Sequence, residues 1–236
     1  GSQQVTERIN VVTATGNGNV IRVEASGGFE SILRINNLVA SGNLLVQGTA
    51  IGSVGTGSVA RVFLTQFNSV NVTNGQVLGN VTIEDLNNPG VIDSAVYDTT
   101  RGIRFLDPNT DFVNGPAIQN GPPTNLPTTA NFRVNPMVAN PVPVLDAANT
   151  IASLRFAPNG TVDYNSGVDS VLTITSGSLF TEPTGSASVT VSGAGSLTIT
   201  AGAANLAIVT NSNLSMGAIL GGTGGLSKSG NGTLTL

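Results

Sequence analysis

Cysteine, histidine and tryptophan are all missing from this chain of 236 residues. Without cysteine the chain has no disulfide framework, no zinc thiolate site and no thiol nucleophile. Without histidine, nucleophilic catalysis by serine loses its usual general base. These absences exclude the commonest hydrolase and zinc-site chemistries. They leave the compartment open, because a secreted protein that is stabilised by repetition needs no cross-links.

Charge is also scarce. Charged residues are 9% of the chain, the net charge is −4, and Lys228 is the single lysine. The sequence contains no basic patch, so nucleic acid is not expected as a partner. It has no polybasic segment for anionic lipid and no run of about eighteen apolar residues to span a bilayer. We therefore expect no nucleic-acid partner and no direct membrane insertion of this segment.

Aliphatic and small polar residues make up most of what is present. Aromatic residues are only 4%, whereas Val, Leu, Ile and Ala are frequent and are mixed with Gly, Ser, Thr and Asn. Short apolar runs stand between turn clusters, as residues 9–13 do before residues 16–19, and no long stretch has helical spacing. This pattern predicts an all-β chain with a thin core of stacked aliphatic side chains and no large aromatic plug.

The repetition is clearest after Leu145. The strands that begin at Val189, Leu197, Leu206 and Leu214 start eight or nine residues apart, with small residues in each gap. Such spacing suits either an antiparallel sandwich or a coiled array. Because the strands are short, alike and without an aromatic pair, we predict a β-solenoid with rungs of roughly 17 to 27 residues. One rung buries too few side chains to offset its backbone entropy, so many rungs must stack.

A proline-rich segment interrupts the pattern. Eight of the eleven prolines lie between Pro108 and Pro143. Because proline has no N–H to donate, this segment cannot be a run of interior strands. We expect an extended loop on the outside of the core, anchored by Phe112, Phe132 and Met137. The alternative is a protruding segment that makes contacts of its own.

Composition thus divides the chain into four parts. Residues 1–2 resemble a tag-cleavage remnant, and residues 3–106 are predicted to form N-terminal β-helix rungs. Residues 107–144 are the proline-rich insertion, and residues 145–236 are predicted to form C-terminal rungs. The final strand, Leu234 to Leu236, stops without a turn or cap. We therefore expect the chain to be a window on a longer repetitive protein.

The C-terminal repeats resemble a known family. Residues 148–156 (ANTIASLRF), 172–177 (LTITSG) and above all 221–236 (GGTGGLSKSGNGTLTL) are similar to the autotransporter-associated β-strand repeat, also called the passenger-associated transport repeat. The resemblance covers roughly Leu145 to Leu236, and the residues before it match no motif of the family. It implies a right-handed parallel β-helix in the passenger of a large bacterial surface protein that is exported across the outer membrane.

Paired carboxylates are the candidates for catalysis, because sugar-cleaving enzymes work with two such groups. Each pair is also readily explained as a solvated corner. Sugar clefts tend to offer aromatic platforms as well, for which this chain has only two tyrosines. The pairs are Asp93 with Asp98, Asp107 with Asp111, Glu84 with Asp85, and Asp163 with Asp169, and the tyrosines are Tyr97 and Tyr164.

Two further motifs carry weaker signals. Residues Asp107 to Asp111 have oxygen ligands at a spacing that suits calcium, but they lack the EF-hand glycine and glutamate, and an Asx-type turn is the alternative. Residues 221–229 look like a phosphate loop, but Ser227 precedes Lys228 where that motif has glycine, and a strand follows in place of a helix. We therefore predict no catalytic, cofactor-binding or metal-binding residues.

These observations lead to one expectation and two alternatives. We expect a non-enzymatic structural or adhesive passenger segment of a large bacterial cell-surface or secreted protein, located outside the cell. Its partners would be host or matrix surface polymers or neighbouring copies of itself, and it would need no cofactor. The first alternative is a polysaccharide-degrading β-helix enzyme that uses surface carboxylates. The second is a self-assembling filament or surface-layer subunit, because the last strand leaves open ladder groups.

Overall fold

The chain folds into short strands joined by turns. A computed structural model describes residues 4–16, 18–55, 57–107, 110–111, 113–115, 131–135, 148–164, 166–202 and 204–236. These residues divide into two compact units, Gly1–Leu106 and Asp107–Leu236. The described part of the chain contains no helix that is long and apolar enough to cross a membrane. Stacked parallel coils form a β-solenoid, which confirms the predicted all-β fold.

The first unit stacks two parallel ladders. Its strands are β1 (Val5–Ala14), β2 (Asn19–Val23), β3 (Ser31–Ala40), β4 (Leu44–Gly48), β5 (Ala60–Phe67), β6 (Val70–Asn71), β7 (Val77–Asp85), β8 (Ile92–Asp98) and β9 (Gly102–Phe105). β1, β3 and β5 pair in parallel in one sheet, and β2, β4 and β7 pair in parallel in another. Each rung therefore contributes one strand to each sheet.

The first unit ends in a meander. β8 pairs antiparallel with β7, β9 pairs antiparallel with β8, and the short β6 pairs antiparallel with β5. Between β7 and β8, Gly90 adopts a φ of 89° and donates its N–H to Glu84. A turn this short joins antiparallel strands, whereas parallel strands need a long crossover. The described part of the first unit therefore begins as solenoid rungs and ends in a meander that the sequence pattern does not predict.

The second unit is a three-sided coil. Its strands are β10 (Val113–Gly115), β11 (Asn131–Val134), β12 (Ala148–Phe156), β13 (Thr161–Tyr164), β14 (Ser170–Thr181), β15 (Ser186–Val191), β16 (Leu197–Thr200), β17 (Leu206–Thr210), β18 (Asn213–Met216), β19 (Ile219–Gly221), β20 (Leu226–Ser229) and β21 (Leu234–Thr235). β12 and β14 are long enough to take part in two ladders, and β13, β15, β18 and β21 form a third. The described pairs of this unit are parallel.

Rung length varies more than the sequence predicts. Equivalent positions lie 20 residues apart between Leu206 and Leu226 but 29 apart between Ser178 and Ala207. In the first unit, the offset reaches 37 between Gln47 and Glu84. Turns contain most of these differences, but one lies inside a strand, because β14 has two more residues than β12 between the pairs Ile151–Ile174 and Ser153–Ser178.

Columns of inward side chains form the core of each unit. In the second unit, Phe132, Leu154, Leu179 and Ile208 occupy the same position on four successive rungs, and each is buried. Each such burial stabilises the fold by about 1.5–3 kcal/mol. The core is not purely aliphatic, because phenylalanines and Tyr164 are among its largest buried side chains.

Part of the proline-rich segment forms strands. β10 and β11 lie within residues 107–144 and pair in parallel with each other, and β11 continues onto β12. Residues 128–135 contain no proline, so their N–H groups remain able to donate to a ladder. Phe132 is buried in the core, as predicted for an anchor. Phe112 and Met137 lie outside the described residues, as do residues 108–109, 116–130 and the rest of 136–144.

Candidate functional site

Asp93 and Asp98 lie on one strand, β8, but do not act as a pair. They are an odd number of positions apart, so their side chains point to opposite faces of the strand. Asp98 accepts hydrogen bonds from Arg101 at 2.8 and 2.9 Å and from Arg104 at 3.2 Å. Burial opposes ionisation, but hydrogen bonds from Thr100 and Arg101 outweigh it and hold the pKa of Asp98 well below its usual range. Asp98 is therefore an ionised structural anchor with no proton to donate at neutral pH.

Glu84 and Asp85 accept hydrogen bonds from a neighbouring rung and from the turns. Glu84 accepts hydrogen bonds from the Gln47 side chain at 2.5 Å and from the Gly90 N–H at 2.6 Å. Asp85 accepts a hydrogen bond from the Ala50 N–H at 2.9 Å. Because adjacent residues of a strand point to opposite faces, the two carboxylates do not converge on one point.

Asp163 and Asp169 each join one rung to the next. Asp163 accepts a hydrogen bond from the Thr190 hydroxyl at 3.0 Å. Asp169 accepts two from Ser196, one from its N–H and one from its hydroxyl, both at 2.8 Å. The backbone hydrogen bond from Ser196, followed by that of the hydroxyl, lowers the pKa of Asp169. These contacts are those of polar corners.

The predicted calcium segment closes on itself as a turn. The Asp107 N–H donates to the Asp111 carboxylate at 2.6 Å, and the Asp111 N–H donates to the Asp107 carbonyl at 2.9 Å. The backbone bond spans four residues, as in an α-turn, and the Asp111 carboxylate closes the same turn; Pro108 and Asn109 lie outside the described residues. The described residues contain no group of three or more acidic side chains that could hold a metal ion.

Neither tyrosine offers a flat face to solvent. Tyr97 is 5% exposed and donates its hydroxyl to the Leu64 carbonyl at 2.8 Å. Burial raises its pKa, and the hydrogen bond to Leu64 partly offsets this effect. Tyr164 is 2% exposed and donates its hydroxyl to the Val168 carbonyl. Both tyrosines therefore pack as core residues.

The segment that looks like a phosphate loop forms two strands of the last rung, β19 and β20. The Lys228 ammonium donates to the Gly230 carbonyl at 2.8 Å. No helix begins there, which agrees with the reasons for discounting the motif.

An arginine column lies on the outer face of the first unit. Arg8 on β1 pairs with Arg34 on β3, and Arg34 pairs with Phe63 on β5. Their side chains therefore leave the sheet on the same side, one strand spacing of about 4.8 Å apart. The Arg34 guanidinium lies over the Phe63 ring, 4.8 Å from its centroid. Neither arginine makes an ion pair within the part of the chain that the structure describes.

This column lines an open cleft of about 500 Å³. Arg8 and Arg34 are exposed along it, and Asn36, Thr65 and Thr99 add neutral hydrogen-bonding groups. Two guanidinium groups that face each other across a ladder repel, so an anion bound between them would be stabilised. The cleft therefore has the chemistry of an anion-binding site.

The second unit has the same column with a carboxylate in place. Arg133 pairs with Arg155, and Arg155 pairs with Phe180, whose ring centroid lies 4.9 Å from the Arg155 guanidinium. Glu182 accepts hydrogen bonds from Arg133 at 2.6 and 2.8 Å and from Arg155 at 2.7 Å. Burial would raise the pKa of Glu182, but the hydrogen bonds from Arg133 and the charge of Arg155 outweigh it and lower the pKa.

One difference between the two columns concerns the carboxylate. Glu182 comes two residues after Phe180, and the residue two positions after Phe63 is Thr65. The first unit thus keeps both arginines and the phenylalanine but has a short hydroxyl where the second unit has its carboxylate.

Sequence reasoning missed this site, because the arginines are isolated along the chain. The sequence does contain one signal, which is a shared separation of 26 residues. Arg8 and Arg34 have this separation, and so do Asn10 and Asn36, whose side chains are hydrogen-bonded on the same two rungs. With this geometry established, the chain was compared with known proteins. It matches no protein-family profile, no curated protein and no solved structure.

Proposed function

We propose that this chain is a non-enzymatic structural and adhesive segment of a large bacterial cell-surface or secreted protein of the autotransporter type. In this role the stacked rungs act as a rigid support, and the outer face carries the contacts to surface polymers. The similarity of residues 221–236 to the passenger-associated repeat motivates the cellular setting.

The observation that carries the proposal is the way the candidate carboxylates are used. Asp98 is bound by two arginines, Glu84 and Asp85 hold turns, and Asp163 and Asp169 join rungs. Sugar cleavage needs two carboxyl groups that face one bond from opposite sides. The described pairs do not have that arrangement, which favours a supporting role over the enzyme alternative.

The experiment compares turnover with retention. The purified chain is incubated with acidic and neutral polysaccharides, and new reducing ends are measured. In parallel, its retention on surfaces coated with the same polymers is recorded. We expect retention on at least one polymer and no new reducing ends. Turnover that Asp98→Ala or Asp107→Ala abolishes would establish the enzyme alternative instead.

A further inference from the structure

We propose that Arg8 and Arg34 form a binding site for the carboxylate of a uronic acid in an acidic polysaccharide. This inference rests on the proposed adhesive function and specifies its ligand class. It places the carboxylate between the two guanidinium groups, beside Phe63 and above Thr65.

The second unit supplies the internal precedent. There, one carboxylate bridges two arginines on adjacent rungs, with three hydrogen bonds between 2.6 and 2.8 Å. The backbone register that aligns Arg133, Arg155 and Phe180 is the register that aligns Arg8, Arg34 and Phe63. A carboxylate from outside therefore finds in the first unit the partners that Glu182 has in the second.

The arginines of the first unit are exposed to solvent, and contact with Phe63 orients one of them for binding. Arg8 and Arg34 are exposed, whereas Arg155 is buried with its carboxylate. Stacking on Phe63 holds the Arg34 guanidinium by its face and leaves its N–H edge available. Guanidinium groups bind carboxylates with two parallel hydrogen bonds, which gives both strength and orientation.

The rest of the cleft favours a sugar over a peptide. Asn36, Thr65 and Thr99 present amide and hydroxyl groups that match sugar hydroxyls. A peptide in extended form binds by adding to a sheet edge. β3 is paired on both sides, but β1 is an edge strand of the described sheet, so oligoglutamate is the competing probe in the test. A volume of about 500 Å³ is enough for a sugar residue or two.

The test uses oligogalacturonate as the probe and its methyl ester as the neutral match. Binding to the full chain is measured by titration calorimetry at low ionic strength, because exposed charges are screened by salt. We expect the acid to bind at least about tenfold more tightly than the ester. Chemical-shift changes should centre on the Nε–H groups of Arg8 and Arg34.

Three variants locate the site. Arg8→Gln and Arg34→Gln should each weaken binding of the acid roughly tenfold to a hundredfold, because each removes charge-assisted hydrogen bonds. Thr65→Glu should abolish binding by supplying an internal carboxylate like that of Glu182. Arg22→Gln is the matched control for lost positive charge, since Arg22 lies on β2 in the other sheet of the same unit. Thr15→Glu is the control for added negative charge and, like Arg22→Gln, should leave binding unchanged.

Several outcomes overturn the inference. Equal affinity for acid and ester, or binding that survives Arg34→Gln, would remove the site. Tighter binding of oligoglutamate or of a sulfated neutral oligosaccharide would replace the uronate with another anion. Retention on polymers that persists in Arg34→Gln leaves the adhesive function standing and the site refuted. Cleavage of polygalacturonate by the wild type would refute the non-enzymatic proposal. The binding site would still be tested by whether Arg8→Gln and Arg34→Gln weaken binding.

Discussion

Replacing Glu182 by glutamine should destabilise the second unit strongly. The change keeps the shape of the side chain but removes the negative charge that Arg133 and Arg155 contact. The Glu182 side chain is 11% exposed and that of Arg155 is 7%, so water does little to replace the lost charge. Removing one partner of a buried ion pair costs about 3–5 kcal/mol, mostly because the remaining charge is left unpaired. For a chain of this size, that loss corresponds to a fall in Tm on the order of 10 °C.

The dependence on pH follows from the direction of the pKa shift. The folded pKa of Glu182 is lowered, so its stabilisation is fully present above the unfolded pKa of about 4.3. It is lost progressively as the pH falls below that value toward the folded pKa. The difference between wild type and Glu182→Gln should therefore be largest at neutral pH and shrink below about pH 4.

Urea denaturation followed by circular dichroism at neutral and acid pH measures both effects. Glu24→Gln is the control, because the Glu24–Arg22 pair is more than half exposed and such pairs contribute at most about 1 kcal/mol. If Glu182→Gln is as stable as the wild type at neutral pH, the two arginines are adequately solvated without Glu182. The analogy between the two columns would then lose its energetic basis.

Three other changes test separate parts of the fold. Ile199→Asp places an unpaired carboxylate in the core and should lower the free energy of unfolding in urea by more than about 4 kcal/mol. Thr198→Asp on the outer face is the control and should lower it by less than about 1 kcal/mol. Equal effects would show that Ile199 does not point inward. Asp98→Asn should lower stability at neutral pH, and the loss should fade below about pH 4, because the folded pKa of Asp98 is depressed; a loss that is constant with pH contradicts this. Gly102→Ala should lower the free energy of unfolding by about 1–3 kcal/mol or more, because φ at Gly102 is 76° and the new Cβ would lie 2.4 Å from the Val62 carbonyl oxygen. An unchanged Tm would contradict that geometry.

The solenoid could be predicted because its cause is local. Short aliphatic runs between small polar turns leave few ways to bury apolar surface, and stacked parallel rungs are one of them. Ile199, in the evenly spaced strand that begins at Leu197, is fully buried between Leu172 and Leu220 in its ladder. The meander of β7 to β9 was not predicted, because the choice between a crossover and a short reversal depends on a few turn residues around Gly90.

The arginine column could not be read from composition. Arg8 and Arg34 are 26 residues apart in the sequence and become neighbours only through register. Rung offsets vary between ladders, so no single period reveals such columns in advance.

Turns of unequal length between rungs have a consequence for how such a chain can change. Residues inserted into an exposed turn, such as the one around Val54, which is 83% exposed, should leave the pairing of β4 with β7 unaltered. The entropy of closing a longer loop grows only slowly with its length. The turns of this fold can therefore change in length and sequence, while the parallel strand pairs and the core between them stay the same.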